Sequence, residues 1–294
     1  MKQIIFDCDN TLGIQGCDVD DGLTLLYLLG CKHCRLLGVT ATYGNNTLET
    51  VFENTKTMLA HIGHTEVPVK RGGTAKGDYT SEAAEFLAQT AARIAQTGEK
   101  ISLLATGSLT NLMGAYHIDP HFFENVEEIV LMGGITAPLI FEKKEMAELN
   151  FSCDPAATAA VLTQGKNVSV ITGNNCLKVL FTRAEYRAAL YDETKKVVRF
   201  IKEKTDYWFD DNEHEYGIKG FYNWDVTAGV YLMNPELFIP QEYPMAISET
   251  DLQRGFLRQA TESEKNCTLN LPEIGSERAF KENIYRTWLA VDFM

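Results

Sequence analysis

The sequence predicts an α/β fold with a mainly parallel central sheet and helices on both faces. Two observations predict it. Apolar runs of strand length alternate with longer helical patterns through the first two thirds of the 294-residue chain, the order that builds crossover units. Polar and glycine residues collect directly behind the apolar runs, where a parallel sheet opens its binding crevice.

The first strand, 3–6, ends in aspartates. The second, 34–42, runs into Tyr43-Gly44-Asn45-Asn46. Strand 67–70 follows, then 101–105, which ends at Thr106-Gly107-Ser108-Leu109-Thr110-Asn111. Strand 128–132 ends at Gly133-Gly134, and 167–172 closes the series. Helical patterns fill the gaps at 22–29, 48–62, 81–97, 109–116 and 155–164. The last third is less regular. A helix is predicted over 194–209, from Val197, Val198, Ile201 and Trp208, and another over 224–232, stopped by Asn234-Pro235. No repeat, low-complexity tract or linker divides the chain, so a single domain over 1–294 is expected.

Hydrophobic residues at 45% and charged residues at 23% are ordinary for a soluble globular protein. The net charge of -13 argues against a nucleic-acid partner, which needs clustered Lys and Arg. No run of about 18 apolar residues predicts a membrane span. The first strand starts almost at Met1, leaving no room for a signal peptide. Seven scattered cysteines, an odd number, fit a reduced cytoplasmic location. Cys31-Lys-His-Cys34 has CxxC spacing, but no second pair completes a zinc site, and it reads as two helix-end thiols.

The segment behind the first strand carries the chemistry. Asp7, Asp9, Asp18, Asp20 and Asp21 fall within fifteen residues. Carboxylates packed together raise one another's pKa unless a cation neutralises them. An all-oxygen set favours a hard ion, Ca²⁺ or Mg²⁺, over zinc. Two families offer a precedent. Phe6-Asp7-Cys8-Asp9-Asn10-Thr11-Leu12 resembles the DxDxT motif of haloacid-dehalogenase-type phosphatases, with Asp7 as nucleophile and Mg²⁺ as cofactor. Their downstream acidic motif is missing, because the only Gly-Asp pair, Gly77-Asp78, is followed by "YTSEAA".

Asp7-Cys8-Asp9 followed by Asp20-Asp21 resembles the DxDPGxDD motif of the inosine-uridine-type nucleoside hydrolases, split by an insertion at 10–18. Further segments agree in order along the chain. "GVTATYGNN" (38–46) resembles GIT-x-x-x-GN, "VPVKRGG" (67–73) resembles VPV-x-x-G, and "ATGSLTNL" (105–112) resembles PxGPLTNL. "IVLMGG" (129–134) is similar to the family's next strand. "AELNFSCDPAAT" (147–158) resembles AEFNxxxDPEAA, and "NWDVTAGVYLMNPELF" (223–238) resembles HDPLAVAYLxxPxLF.

The resemblance implies a Rossmann-like nucleoside-hydrolase fold with the active site at the C-terminal ends of the strands. It implies hydrolysis of the N-glycosidic bond of ribonucleosides to ribose and free base, in nucleoside salvage, by a homodimer or homotetramer. One Ca²⁺ per subunit would be held by Asp9, Asp21, the main-chain carbonyl of Thr106 and Asp225, and Asp9 would deprotonate the water on that ion. Asp20, Asn45, Glu148, Asn150 and Asp225 would grip the ribose hydroxyls, with Asp7 orienting the ligands behind them. Asp154 reads as the cap of the helix begun by Pro155.

Three departures from the family pattern stand out. In the insertion, Gly13 and Gly16 are expected to let the loop fold outward, leaving Asp18 facing solvent. The segment 135–146 lacks the family's Gly-Asn and carries Lys143 and Lys144, read as a solvated loop rather than a grip for a 5′-phosphate. Trp224 stands where several members carry a histidine proposed to protonate the leaving base. Indole cannot do so, which leaves base stacking or a place in the core. His214, the only histidine in the last third, is the candidate acid, and Trp208 is a second candidate for the base pocket. A ribose-binding protein that has lost its leaving-group chemistry is the non-enzymatic alternative.

Overall fold

The apolar runs assemble into one sheet of eight strands. The computed structural model describes residues 1–293. In chain order the strands are β1 (Lys2–Cys8), β2 (Cys34–Ala41), β3 (Val69–Arg71), β4 (Ile101–Ala105), β5 (Val126–Met132), β6 (Leu139–Ile140), β7 (Glu145–Met146), β8 (Val168–Ile171), β9 (Phe238–Ile239), β10 (Glu242–Met245), β11 (Cys267–Asn270) and β12 (Glu273–Ile274). The helices are α1 (Asp20–Gly30), α2 (Leu48–Ile62), α3 (Glu82–Ala95), α4 (Thr110–Ile118), α5 (Asn150–Cys153), α6 (Pro155–Gln164), α7 (Gly173–Cys176), α8 (Arg183–Ala189), α9 (Lys196–Tyr216), α10 (Trp224–Met233), α11 (Glu249–Leu252) and α12 (Glu277–Trp288).

The main sheet has the order β10-β11-β8-β5-β4-β1-β2-β3. All its pairs are parallel except β10 with β11. The chain builds outward from β1 through β2 and β3, returns to place β4 on the other side of β1, and continues through β5 and β8. The order therefore reverses between β1 and β4. Connections leave in opposite directions there, and a crevice opens beyond the strand ends.

Both faces of the sheet are covered, so its strands are apolar on both sides. Ile4, Phe6 and Cys8 of β1 join one core with Leu23 and Tyr27 of α1 and Trp288 of α12. Ile5 joins the opposite core with Leu103 of β4, Leu87 of α3 and Leu112 of α4. Among the described residues, no helix is long and apolar enough to cross a membrane.

Where the elements depart from expectation, the reasons are local. β1 runs on to Cys8, so Asp7 lies inside the sheet, opposite Thr40 of β2. α1 begins at Asp20 rather than 22, placing Asp20 and Asp21 in the first turn, the positive end of the helix with unpaired N–H groups. α9 continues to Tyr216, well past the expected end at 209, and stops at Gly217, whose φ of 78° is the left-handed conformation that closes helices. Asp154 does cap α6, accepting from Ala157 N–H at 3.2 Å.

The insertion 10–18 does not fold outward. Gly13 and Gly16 take positive φ values of 85° and 77°, and the turns they allow bring the loop back onto the molecule. Tyr207 of α9 donates from its hydroxyl to the carbonyls of Ile14 and Cys17, at 2.9 and 3.0 Å. Thr11 Oγ1 donates to Asp18 O at 2.8 Å, and Asn54 of α2 donates to Asn10 O at 3.2 Å. The expectation of a solvent-facing Asp18 is corrected accordingly: the side chain is half-buried and turned toward the crevice.

Candidate active site

The strand ends at the β1–β4 reversal gather the aspartates. Carboxylate oxygens of Asp20, Asp21 and Asp225 lie within 4.8 Å of one another, all three side chains buried. Two helices meet to place them. Asp20 and Asp21 open α1, Asp225 lies in the first turn of α10, and the N–H of Asp225 donates to Asp20 Oδ2 at 2.9 Å. Thr106, just past β4, donates from its hydroxyl to Asp21 Oδ1 at 2.6 Å. Burial pushes the Asp21 and Asp225 carboxyls well above the usual range, and neighbouring aspartates push further; burial raises Asp20 as well, tempered by its bond from Asp225 N–H.

Asp9 sits beneath this trio, fully buried. Its Oδ2 accepts from Asn45 N–H at 2.5 Å, while its Oδ1 is buried with no hydrogen-bond partner among the described residues. The glycine before Asn45 makes this approach possible: a Cβ on Gly44 would stand 2.1 Å from Asp9 Oδ2. Asp7 lies one step further back. Its Oδ1 accepts from Thr40 Oγ1 and from Asn111 Nδ2, the latter at 2.8 Å. Burial pushes the Asp7 carboxyl up to about 7, against the lowering effect of these two bonds.

Above the aspartates opens a cavity of about 250 Å³. Its lining divides by chemistry into a polar set, here the floor, of Asp20, Asp225, Thr106, Asn45 and Asn150, and a largely aromatic and apolar set, here the wall, of Trp208, Asn212, Tyr216, Trp224, Leu139 and Met146. No Lys, Arg or His stands among its described lining residues. Asp18 lines it too, next to Asp20, and burial followed by the Asp20 charge raises its carboxyl. Asn45 Nδ2 approaches Asp21 Oδ2 at 3.5 Å. Asn150 Nδ2 donates to the carbonyls of Thr106 and Met132, at 2.9 and 3.0 Å. Glu148 accepts backbone N–H groups from Gly134, Phe151 and Ser152 at 3.0, 2.8 and 3.0 Å, which offset the raising effect of its burial.

The residues named from the sequence therefore divide. Asp9, Asp20, Asp21, Asn45, Thr106, Glu148, Asn150, Trp224 and Asp225 are brought together at one crevice. His214 is not. It is exposed on α9, and the α9 residues that face the cavity are Trp208, Asn212 and Tyr216, spaced four apart along one helical face. His214 lies on the other face, which corrects its assignment as the acid. The segment 135–146 is solvated as read, with Lys143 and Lys144 exposed, but it is ordered rather than an irregular loop. β6 and β7 pair there as an antiparallel hairpin, Lys143 is bound to carbonyls of α9 and Lys144 to Glu215.

The phosphatase reading loses its nucleophile, because Asp7 is 1% exposed and outside the cavity lining. Asp78 is occupied by the N–H and hydroxyl of Thr74. Burial pushes the thiols of Cys31 and Cys34 up to about 11 and about 12, so neither is activated. Asn212 and Tyr216 were not singled out in the sequence; extending the helix of 194–209 at its own four-residue spacing from Trp208 reaches both.

The donor set fits a hard divalent cation. The ligand atoms are all oxygen; the converging carboxylates are those of Asp20, Asp21 and Asp225, with Asp20 rather than the expected Asp9 in the trio, and Asp9 Oδ1 lacks a partner among the described residues. Like charges held this close in a buried site need a counter-charge.

A family profile described as inosine-uridine preferring nucleoside hydrolase matches residues 4–281. A probable uridine nucleosidase 1 of Oryza sativa subsp. japonica is 27% identical over 248 residues, covering 75% of each chain. An inosine-uridine preferring nucleoside hydrolase of Leishmania major is 25% identical over 273 residues, covering 84% of this chain and 83% of that one. The solved structure of a purine-preferring ribonucleoside hydrolase from Gardnerella vaginalis superposes with a TM-score of 0.83 at 21% identity, over the full length of both chains.

Proposed function

Because the chain belongs to the inosine-uridine preferring nucleoside hydrolase family, whose members are N-glycosyl hydrolases, we propose that it cleaves ribonucleosides to ribose and free base in the cavity at the β1–β4 reversal. The observation that carries this reading is the pairing of two chemistries in one cavity: a carboxylate and amide floor, and an aromatic and apolar wall. A ribose offers vicinal hydroxyls to the first. A nucleobase offers a flat ring to the second.

We place Ca²⁺ on Asp9, Asp21, Asp225 and the Thr106 carbonyl, where it would balance the buried charge, grip the ribose hydroxyls and make a nearby water more acidic. Asp9 takes the proton of the attacking water as general base. The Asn45 N–H occupies its Oδ2 and leaves the other oxygen for that task. Asp20, Asn45, Glu148 and Asn150 orient the sugar, so that the anomeric carbon faces the water and the base lies toward Trp224 and Trp208. With no histidine among the described residues of the cavity lining, the base leaves by stacking and by protonation from solvent.

The substrate is a nucleoside rather than a nucleotide. Lys143 and Lys144 are engaged on α9, and Asp18, Asp20, Glu148 and Asp225 line the cavity without a cationic side chain among them, which repels a 5′-phosphate.

The test is a panel of ribonucleosides and 5′-nucleotides, with free ribose and free phosphate followed separately. Ribose release from nucleosides supports the reading; phosphate release, or turnover of neither, refutes it.

A further inference from the structure

We propose that Lys143 is a positioning residue for the nucleobase: it clips the β6–β7 hairpin onto the C-terminal end of α9, and the two elements together form the wall that holds the base. The proposal rests on the hydrolase reading above and names a device within it.

The clip is defined by three hydrogen bonds. Lys143 Nζ donates to the carbonyls of Glu213 and His214, each at 2.8 Å. Its own N–H donates to the carbonyl of Tyr216 at 3.2 Å. These carbonyls belong to the last turn of α9, where the helix dipole presents its negative end; the Glu213 carbonyl also accepts from the Gly217 N–H at 3.1 Å. An ammonium group is the partner such a terminus favours.

The hairpin needs that anchor. Its strands have two residues each, and a lone two-stranded hairpin is at best marginally stable in water. Its two ends nevertheless furnish Leu139 and Met146 to the cavity, alongside the α9 side chains Trp208, Asn212 and Tyr216. From the hairpin tip, Phe141 packs on Tyr216 with ring centroids 5.8 Å apart and on Tyr222 at 6.0 Å. Tyr222 in turn lies 5.1 Å from Trp224. A continuous set of ring contacts thus links the clipped tip to the tryptophan that precedes Asp225. Lys144, paired with Glu215 at 2.5 Å and 4.5 Å above the Tyr216 ring, is a second contact of the same kind, exposed as Lys143 is.

The carboxylate floor makes no hydrogen bond to the hairpin tip among the described residues. Loss of the clip therefore loosens the base side of the cavity and spares the sugar side.

The experiment compares wild-type protein with Lys143→Met and Lys143→Arg, measuring kcat and KM for a nucleoside and the inhibition constant of free ribose. Lys143→Met is expected to raise KM about tenfold, the scale of a lost charge-assisted bond, with kcat within about threefold and ribose inhibition unchanged. Lys143→Arg, which can still donate to the α9 carbonyls, restores most of the affinity. An unchanged KM in Lys143→Met overturns the clip, and so does a ribose inhibition constant that weakens in step with KM, since that marks general loss of structure. Wild-type protein that releases no ribose from any nucleoside refutes the hydrolase reading and the clip with it; wild-type turnover with an unaltered Lys143→Met refutes the clip alone.

Discussion

The side-chain amide of Asn150 donates to the main-chain carbonyl of Thr106 at 2.9 Å, so a residue placed at the sugar also fixes an oxygen placed at the cation. The same Nδ2 donates to Met132 O at 3.0 Å, tying the end of β4 to the end of β5. Asn150→Leu keeps the bulk and removes the donor from both carbonyls, at about 1–3 kcal/mol for each that is left without another partner. The variant is expected to melt earlier and to bind Ca²⁺ more weakly by calorimetry. Wild-type calcium affinity in Asn150→Leu would detach the Thr106 carbonyl from the cation site.

Asp21 tests the cation directly, because its substitution has opposite effects with and without metal. Asp21→Asn preserves shape but removes one of the three converging carboxylates. Without metal, relief of repulsion should raise the melting temperature above that of metal-free wild type. With calcium the order inverts. Wild-type protein gains about 2.7 kcal/mol at a hundredfold excess over Kd, while the variant gains little and loses nearly all ribose release. A calcium-dependent melting shift that survives in Asp21→Asn would remove this residue from the site.

The metal-free protein should also respond to pH in a defined direction. The folded-state carboxyl of Asp7 is raised from 3.8 to about 7, and those of Asp20, Asp21 and Asp225 are raised too, by burial first. A raised carboxyl means that the folded chain binds more protons than the unfolded chain between about pH 4 and 7. Stability therefore falls as pH rises through that window. In chelator, denaturant midpoints at pH 5 should exceed those at pH 7.5, and calcium should narrow the gap. Equal midpoints in chelator at the two pH values would show that the cluster carries no such strain.

Much of this site is legible in the sequence because strand ends at a sheet reversal are short and their polar residues are contiguous. Asp9 and Thr106 follow an apolar run directly and Asn45 a short turn after one, and alternation of strands with helices suffices to bring those run ends together. What pattern alone missed depends on contacts between distant segments. The insertion 10–18 reads as an outward loop until Tyr207, nearly two hundred residues later, is seen to hold the carbonyls of Ile14 and Cys17. The hairpin at 139–146 has strands too short for any periodicity, and its order comes from α9. The sequence places the end of α9 too early because "DDNEHEY" is polar all round, though Asn212 and Tyr216 continue the inward face of Trp208.

Asp7 separates the two enzyme families that share its motif. As a phosphatase nucleophile it would form a covalent intermediate, and Asn there would abolish turnover. Here it is buried, with Thr40 and Asn111 on one oxygen, behind Asp9. Asp7→Asn is therefore expected to lower nucleoside turnover by roughly 10–100-fold, the scale of a group that orients ligands. Complete loss of activity together with a phospho-aspartate trapped at position 7 would reverse the family choice.

The last prediction concerns how the base leaves. General-acid protonation is worth about 10²–10⁴-fold where it operates. His214 is exposed on the outer face of α9, so His214→Ala should change nucleoside turnover by less than about twofold. A tenfold loss would return it to the mechanism. A leaving group that needs no proton, such as that of p-nitrophenyl riboside, should be released readily, while natural nucleosides show a marked dependence on the base. Trp224 is then the group to alter. It is 8% exposed, packed in the core with Tyr222, and yet lines the cavity. Trp224→Ala would confound stacking with a core cavity costing about 3–5 kcal/mol, so the informative pair is Trp224→Phe and Trp224→Leu. Base–aromatic stacking of about 1–3 kcal/mol predicts that Phe retains most of the nucleoside affinity. Leu, of similar hydrophobicity but without a π-face, should raise KM by about five- to a hundredfold and leave ribose inhibition unchanged. Equal KM values for the Phe and Leu variants would make Trp224 a packing residue of α10 and nothing more.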